Sequence, residues 1–283
     1  MSGFTLDAGR EWMASWKRKT CDHPNCSRWL TVGYLKSRSV GVQMGEAWYC
    51  SYGCFQSAAQ EEMNQILSAR PRAASSKPRM SLGLELVGRG QLTAEQLRFT
   101  TEQMLGSSLD AGDLFVENGF ATEAQVTAAR AAIWGCPVYN PTPAIINAGI
   151  HIPPVLASSC LVVPMHYVPA TRQLLLGFLR SVDYELMFAI ENMTGCTAKA
   201  CFVKPSDFHL HEAHTHLKQQ EAAEAPSGMT FNTSYSNNER ARILCNYGAG
   251  VDANRVKFTL CKNYLWARLQ GGTGICDLLF KLD

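Results

Sequence analysis

The residues of this chain whose type and spacing most directly suggest chemistry are cysteines. Cys21 and Cys26 form one local pair, and Cys50 and Cys54 form a second after 23 intervening residues. Two thiolate pairs brought together by the chain between them supply the four ligands of a tetrahedral zinc ion. A small core of buried thiols and a redox pair are the other readings of the same residues. His23, beside the first pair, could replace one ligand. Four cysteine ligands would leave no coordination position for water or substrate, so the expected metal role is structural.

The elements that must position these thiols can be read around them. Trp29 to Val42 alternates around Gly33 and Gly41 in the manner of a short hairpin. From Tyr52 the pattern becomes helical, with Phe55, Ala59, Met63, Ile66 and Leu67 on one face. A knuckle, a hairpin, and a helix whose start carries the second pair make the layout of a treble-clef or ribbon-like zinc module, expected over residues 1–70. The helix N-terminus would favour thiolate charge at Cys54. Lys17, Arg18, Lys19, Arg28, Lys36 and Arg38 make this module basic. That leaves nucleic-acid contact open as the alternative function, beside plain solvation.

Other groupings carry less. His209, His211, His214 and His216 lie beside Glu212, but the i, i+4 spacing of a zinc-protease helix is not met because position 215 is Thr. A solvated helix is the expectation, with a weak surface metal site as the alternative. No Gly-x-x-x-x-Gly-Lys-Ser/Thr phosphate loop occurs, and the glycines at 271–274 read as a turn. No constellation for nucleophilic or acid–base catalysis stands out, so the chain is expected not to be an enzyme.

Composition bounds the remainder. The chain has 283 residues, 46% hydrophobic and 18% charged, which excludes wholesale disorder. A net charge of +2 gives no global field to attract nucleic acid or an anionic membrane. Residues 1–20 lack an apolar run of signal-peptide length. Residues 131–171 contain no Asp, Glu, Lys or Arg, yet prolines at 137, 141, 143, 153, 154, 164 and 169 leave no membrane-spanning helix. A cytoplasmic protein without membrane insertion is expected, and its eleven cysteines fit a reducing compartment better than a disulfide framework.

Polar stretches at 70–79 and 221–237 read as linkers. They divide a multi-domain α+β chain into the zinc module (1–70), a middle (79–218) and a small α+β tail (236–283). In the tail, Ser236 and Glu239 form a capping box, and a three-stranded meander follows in which Trp266 and Arg268 share a face. The middle subdivides into a helical repeat (79–136) and an α/β part (137–218). The repeat has a period of 29 residues: Gly83 matches Gly112, Val87 matches Val116, Gly90 matches Gly119, Thr93 matches Thr122 and Gln96 matches Gln125. Each copy reads as a short helix stopped by glycine, then a second helix opened by a Thr-x-x-Gln capping box. Leu82, Leu86, Leu97, Phe115 and Val126 would be buried between the two hairpins.

This repeat resembles the N-terminal domain of type II secretion and type IV pilus traffic ATPases, the general secretory pathway protein E N-terminal domain. Ile152 to Met165 is similar to that family's turn, helix and strand, and the resemblance continues through 173–179, 184–193 and 198–203. It implies contacts with secretion or pilus assembly components. Some members bind cyclic di-GMP through tandem Arg-Leu-Gly motifs. The skeleton of those motifs is kept in Leu82, Gly83, Leu86 and Gly90, then Gly112, Phe115, Val116 and Gly119. The motif Arg, however, is Ser81 in one copy and Asp110 in the other, and the closing Gln is Met104 and Ile133. Losing a charge-assisted phosphate contact removes about 1.5–3 kcal/mol, so the expectation is a domain that kept the fold and lost the dinucleotide. A non-catalytic adaptor or regulatory protein is the function these readings imply.

Overall fold

The computed structural model describes residues 18–31, 41–69, 80–140, 150–212, 229–231 and 235–282. The chain forms two compact units: residues 1–71 with 224–283, and residues 72–223. The tail read from sequence as a separate domain is therefore part of the same unit as the cysteine module. The reason is a shared sheet and a shared core.

In the first unit, β1 (Arg18–Thr20) pairs antiparallel with β2 (Trp29–Thr31). β3 (Val42–Met44) and β4 (Ala47–Tyr49) form a tight hairpin turning at Gly45, whose φ is +59°. The hairpin expected from Trp29 to Val42 is thus corrected at both ends: Trp29 pairs backwards with β1, and Val42 pairs forwards with β4. Residues 32–40 lie outside the described residues. α1 (Tyr52–Ser68) follows. The C-terminal segment supplies β8 (Met229–Phe231), α9 (Asn237–Gly250) and the meander β9 (Ala253–Cys261), β10 (Tyr264–Gly271) and β11 (Gly274–Lys281).

β3 adds parallel to β9, so the two segments share one six-stranded sheet of order β4-β3-β9-β10-β11-β8. The last member, β8, lies inside the stretch read from sequence as a linker. It pairs parallel with β11, and Phe231 stacks on Phe280 at 5.2 Å between ring centroids. Tyr235 and Tyr247 also lie edge-on to Phe231, so aromatic packing anchors this part of a polar stretch as an edge strand.

The period-two pattern of the meander sets which face is core. Leu265, Ala267 and Leu269 on β10, with Cys276, Leu278 and Phe280 on β11, join Phe55, Ala59 and Met63 of α1 and Ala241 and Leu244 of α9 in one cluster. α1 and α9 pack antiparallel. Asn64 meets Asn237 at one end, while Tyr52 at the other donates its hydroxyl to the Ala253 carbonyl at 3.1 Å. Gly248 lets the Tyr52 ring approach, since a Cβ there would lie 3.0 Å from a ring carbon.

The second unit opens with four helices: α2 (Leu82–Gly88), α3 (Ala94–Met104), α4 (Ala111–Glu117) and α5 (Glu123–Trp134). Both Thr-x-x-Gln capping boxes form, at Thr93/Gln96 and Thr122/Gln125. Leu86, Leu92, Phe115, Ala121, Val126 and Ala129 make the core of the repeat, with Leu82 and Leu97 packed against it.

An α/β part follows: α6 (Pro154–Ser159), β5 (Val162–Val168), β6 (Gln173–Phe178), α7 (Tyr184–Thr194), β7 (Thr197–Phe202) and a helix α8 over 205–212. β5 and β6 are antiparallel, and the α7 crossover makes β6 and β7 parallel. α7 buries Leu186, Ala189, Ile190 and Met193. Among the described residues no helix is long and apolar enough to cross a membrane.

Candidate metal centre

The four cysteines lie on three local devices. Cys21 and Cys26 flank a tight knuckle in which the Cys21 N–H donates to the Arg28 carbonyl at 3.0 Å and the Cys26 N–H to the His23 carbonyl at 3.0 Å. Cys50 follows the β3–β4 hairpin. Cys54 sits in the first turn of α1, where its N–H donates to the N-cap hydroxyl of Ser51 at 3.4 Å. Asp22 ties knuckle to hairpin: its N–H donates to the Trp48 carbonyl at 2.9 Å, and its carboxylate accepts the Trp48 N–H at 2.6 Å.

These devices bring all four sulfurs within 4.8 Å of one another. Cys26 Sγ and Cys50 Sγ are 3.7 Å apart, and Cys50 Sγ and Cys54 Sγ 3.9 Å. A tetrahedron of sulfurs at the zinc–thiolate distance of about 2.3 Å has edges of about 3.8 Å. A disulfide would need about 2.05 Å, and all four cysteines are free thiols. The set is compatible with a structural zinc ion, and an all-sulfur donor set suits that metal. His23 is turned to local use, its Nδ1 accepting the Asn25 N–H at 3.2 Å.

The electrostatics fit a site that is completed by a cation. Burial pushes the Cys50 thiol up to about 12, with its thiol neighbours adding to the shift. Burial also raises Cys54, outweighing the lowering by the hydroxyl of Ser51. Cys26 is lowered, chiefly by the backbone N–H of Arg28 directed at its sulfur. The backbone N–H of Cys50 likewise donates to Cys21 Sγ at 3.4 Å. Four adjacent thiolates repel one another, and a divalent ion offsets that charge while releasing their protons. Of the basic residues noted in this module, Arg28 is exposed. Lys17, Lys36 and Arg38, and the side chains of Arg18 and Lys19, lie outside the described residues.

The positions that match the dinucleotide motif are occupied by structural work. Ser81 N-caps α2, its hydroxyl accepting the Leu84 N–H at 3.4 Å. Asp110 N-caps α4, accepting the Gly112 N–H at 2.9 Å, and also pairs with the guanidinium of Arg130. Gly90 and Gly119 close Schellman turns at φ of +67° and +69°. Gly83 and Gly112 permit close helix packing, since a Cβ would collide with Leu97 at the first and with Arg130 at the second. Leu82, Leu86 and Phe115 belong to the repeat core. Met104, at the first closing-Gln position, is exposed.

The histidine group divides. His209 is exposed and 3.6 Å from Glu212, whereas His211 is buried, against the expectation of a solvated helix. α8 turns that side of its surface inward. His214 and His216 lie outside the described residues.

Two constellations were not legible in sequence. Arg130 is buried and donates to the Leu179 carbonyl at 2.9 Å, joining the second hairpin to the α/β part. Arg180 and Asp113 add an ion pair at 2.7 Å across the same junction. A signal for Arg130 existed in the repeat itself, because the pair Asp110/Arg130 corresponds to Ser81/Thr101 in the first copy.

On the sheet of the first unit, Asp277 accepts from the Trp266 indole at 2.7 Å and from Arg268 Nε and Nη2 at 2.7 and 2.8 Å. All three residues are buried. Trp266 and Arg268 share a face as expected, but that face is not open, and their carboxylate partner comes from the adjacent strand.

No family model matches the chain, and no curated protein matches it. Among solved structures, part of the chain is similar to MshE, solved with cdg, at 18% identity over 48% of this chain and 99% of that one, with a TM-score of 0.41. It is also similar to the N-terminal domain of XpsE in two crystal forms. One gives 14% identity over 51% of this chain and 96% of that one with a TM-score of 0.34; the other gives 16%, 51%, 97% and 0.28.

Proposed function

We propose that this protein is a non-catalytic adaptor of the cytoplasm, built from a zinc-clasped α+β unit and a domain related to the N-terminal domains of secretion and pilus ATPases. The observation that carries the zinc part is the four-sulfur cluster, with edges of 3.7 and 3.9 Å. A set of four cysteine ligands is coordinatively closed, so the ion would hold the knuckle, hairpin and α1 together without presenting a reactive position. Cys21, Cys26, Cys50 and Cys54 would be its ligands.

The second unit would make protein–protein contacts, with secretion or pilus assembly components as the class of partner. Cyclic dinucleotide binding would have been lost. Both motif-Arg positions are helix caps in this chain, and Asp110 would repel a phosphate. Titration calorimetry with cyclic di-GMP is expected to give no heat of binding, and tight stoichiometric binding would overturn that part of the reading. Co-purification with the cytoplasmic domain of a pilus or secretion assembly platform tests the adaptor role. Failure of every such domain to bind the zinc-loaded full chain would sink it.

A further inference from the structure

The second helical hairpin shows what the outer face of such a hairpin does when it has something to cover it. At a shift of 29 residues, α5 is the counterpart of α3. On α5, Thr127, Arg130 and Ala131 are buried, and Arg130 anchors the helix to the α/β part. Their counterparts on α3 are Arg98, Thr101 and Glu102. Arg98, Thr101 and Glu102 are all exposed. The repeat therefore presents the same surface twice, covered in one copy and largely open in the other.

The open copy carries large apolar groups that stay exposed. Phe99 is 48% exposed, and Leu105 at the helix end is 91% exposed. Phe120, from the turn after α4, lies edge-on to Phe99 at 5.9 Å. Phe99 on α3 and Phe120 form a partly open aromatic pair, and Leu105 extends the exposed apolar surface at the C-cap of α3.

The rim is acidic. Glu95, Phe99, Glu102 and Leu105 follow one another along α3 at helical spacing, and Glu117 ends α4. Other carboxylates of the repeat have cationic partners: Glu85 with Arg89, Asp110 with Arg130 and Asp113 with Arg180. Among the described residues no ion pair engages Glu95, Glu102 or Glu117, and Arg98 is the one cation of α3.

We propose that this face of α3 docks a basic amphipathic helix of a protein partner. The apolar stripe of that helix would cover Phe99, Leu105 and Phe120, while its Lys and Arg side chains meet Glu95, Glu102 and Glu117. Charge complementarity selects this occupant over a second copy of the same face, which would bring like charges together. The proposal rests on the adaptor reading and names its surface and the chemistry of its partner.

The test is fluorescence anisotropy of the zinc-loaded full chain with a labelled Leu/Lys model amphipathic helix, with the Leu/Glu counterpart as control. The Leu/Lys peptide is expected to bind, less tightly as salt rises, and the Leu/Glu peptide is expected not to. Replacing two exposed side chains (F99S with L105S) should leave the circular dichroism unchanged and weaken binding by about tenfold or more. The charge reversals E95K and E102K should weaken it similarly. Equal binding of both peptides, no binding of either, or insensitivity to F99S/L105S would overturn the proposal. Cross-linking of a complex with an assembly-platform domain separates the two readings. Cross-links that avoid α3 would overturn the docking face while the adaptor role stands.

Discussion

At the scale of single residues, the chemistry of the chain is decided by which polar groups have partners. Cys50 lies within 4 Å of the sulfurs of both Cys26 and Cys54, and its backbone N–H reaches Cys21. A C50S substitution should therefore abolish stoichiometric zinc binding, measured by metal analysis of the purified protein. Retention of one zinc per chain would exclude Cys50 as a ligand. Zinc affinity should fall as pH is lowered from about 8 to about 6, because acid returns protons to thiols that must lose them to bind the ion. A competition titration with a chromophoric chelator at several pH values reads that slope. The buried Arg268–Asp277 pair makes a different demand. Its 2.7 Å contact, with side chains 3% and 1% exposed, leaves Arg268 without that carboxylate if Asp277 is truncated. D277A is expected to cost about 3–5 kcal/mol in urea unfolding; a change below about 1 kcal/mol would show that the surroundings absorb the charge.

At the scale of elements, the repeat is held by its ends as much as by its core. Each first helix ends in a Schellman turn: Gly90 N–H to the Val87 carbonyl with Gln91 N–H to Leu86, and Gly119 N–H to Val116 with Phe120 N–H to Phe115. Each second helix begins with a reciprocal Thr–Gln box. Removing one box with T93A should destabilise the second unit by about 1 kcal/mol. G112A should cost more, about 1–3 kcal/mol from overpacking, because its Cβ would meet both Arg130 and Val126. Thermal denaturation of the two variants orders them, and a G112A protein as stable as wild type would show that Arg130 can swing away. The same capping logic explains why the motif-Arg positions tolerate Ser81 and Asp110. Both are good N-caps, and both form cap hydrogen bonds here.

At the scale of the whole molecule, the first unit joins segments separated by more than a hundred residues. β3 and β9 pair in one sheet, and α1 packs on α9. The metal centre sits on the N-terminal part of that unit, so its loss should reach the C-terminal part. Chelation is expected to raise hydrogen exchange across 42–68 and also across 237–282, while the repeat at 82–134 keeps its protection. Deprotection confined to 21–69 would mean that the C-terminal meander is stable on its own. Local signals were legible in sequence wherever the physics is local. The two cysteine pairs, the capping boxes at Thr93, Thr122 and Ser236, the glycine stops, and the three-stranded meander of the tail all act within a few residues. Hidden from sequence were the pairing of Val42–Met44 with Ala253–Cys261, the edge strand at Met229–Phe231, the burial of Trp266 with Arg268 and Asp277, and the anchoring role of Arg130. The sheet pairing and the edge strand depend on which apolar faces meet after the chain has closed loops of tens to hundreds of residues, and the burial of Trp266, Arg268, Asp277 and Arg130 depends on what then covers them; periodicity does not encode either choice. The sequence by itself determined a four-thiol set and a duplicated helical hairpin; the tertiary structure decided that the first and last segments are one unit, because only a shared core could bury both of their apolar faces.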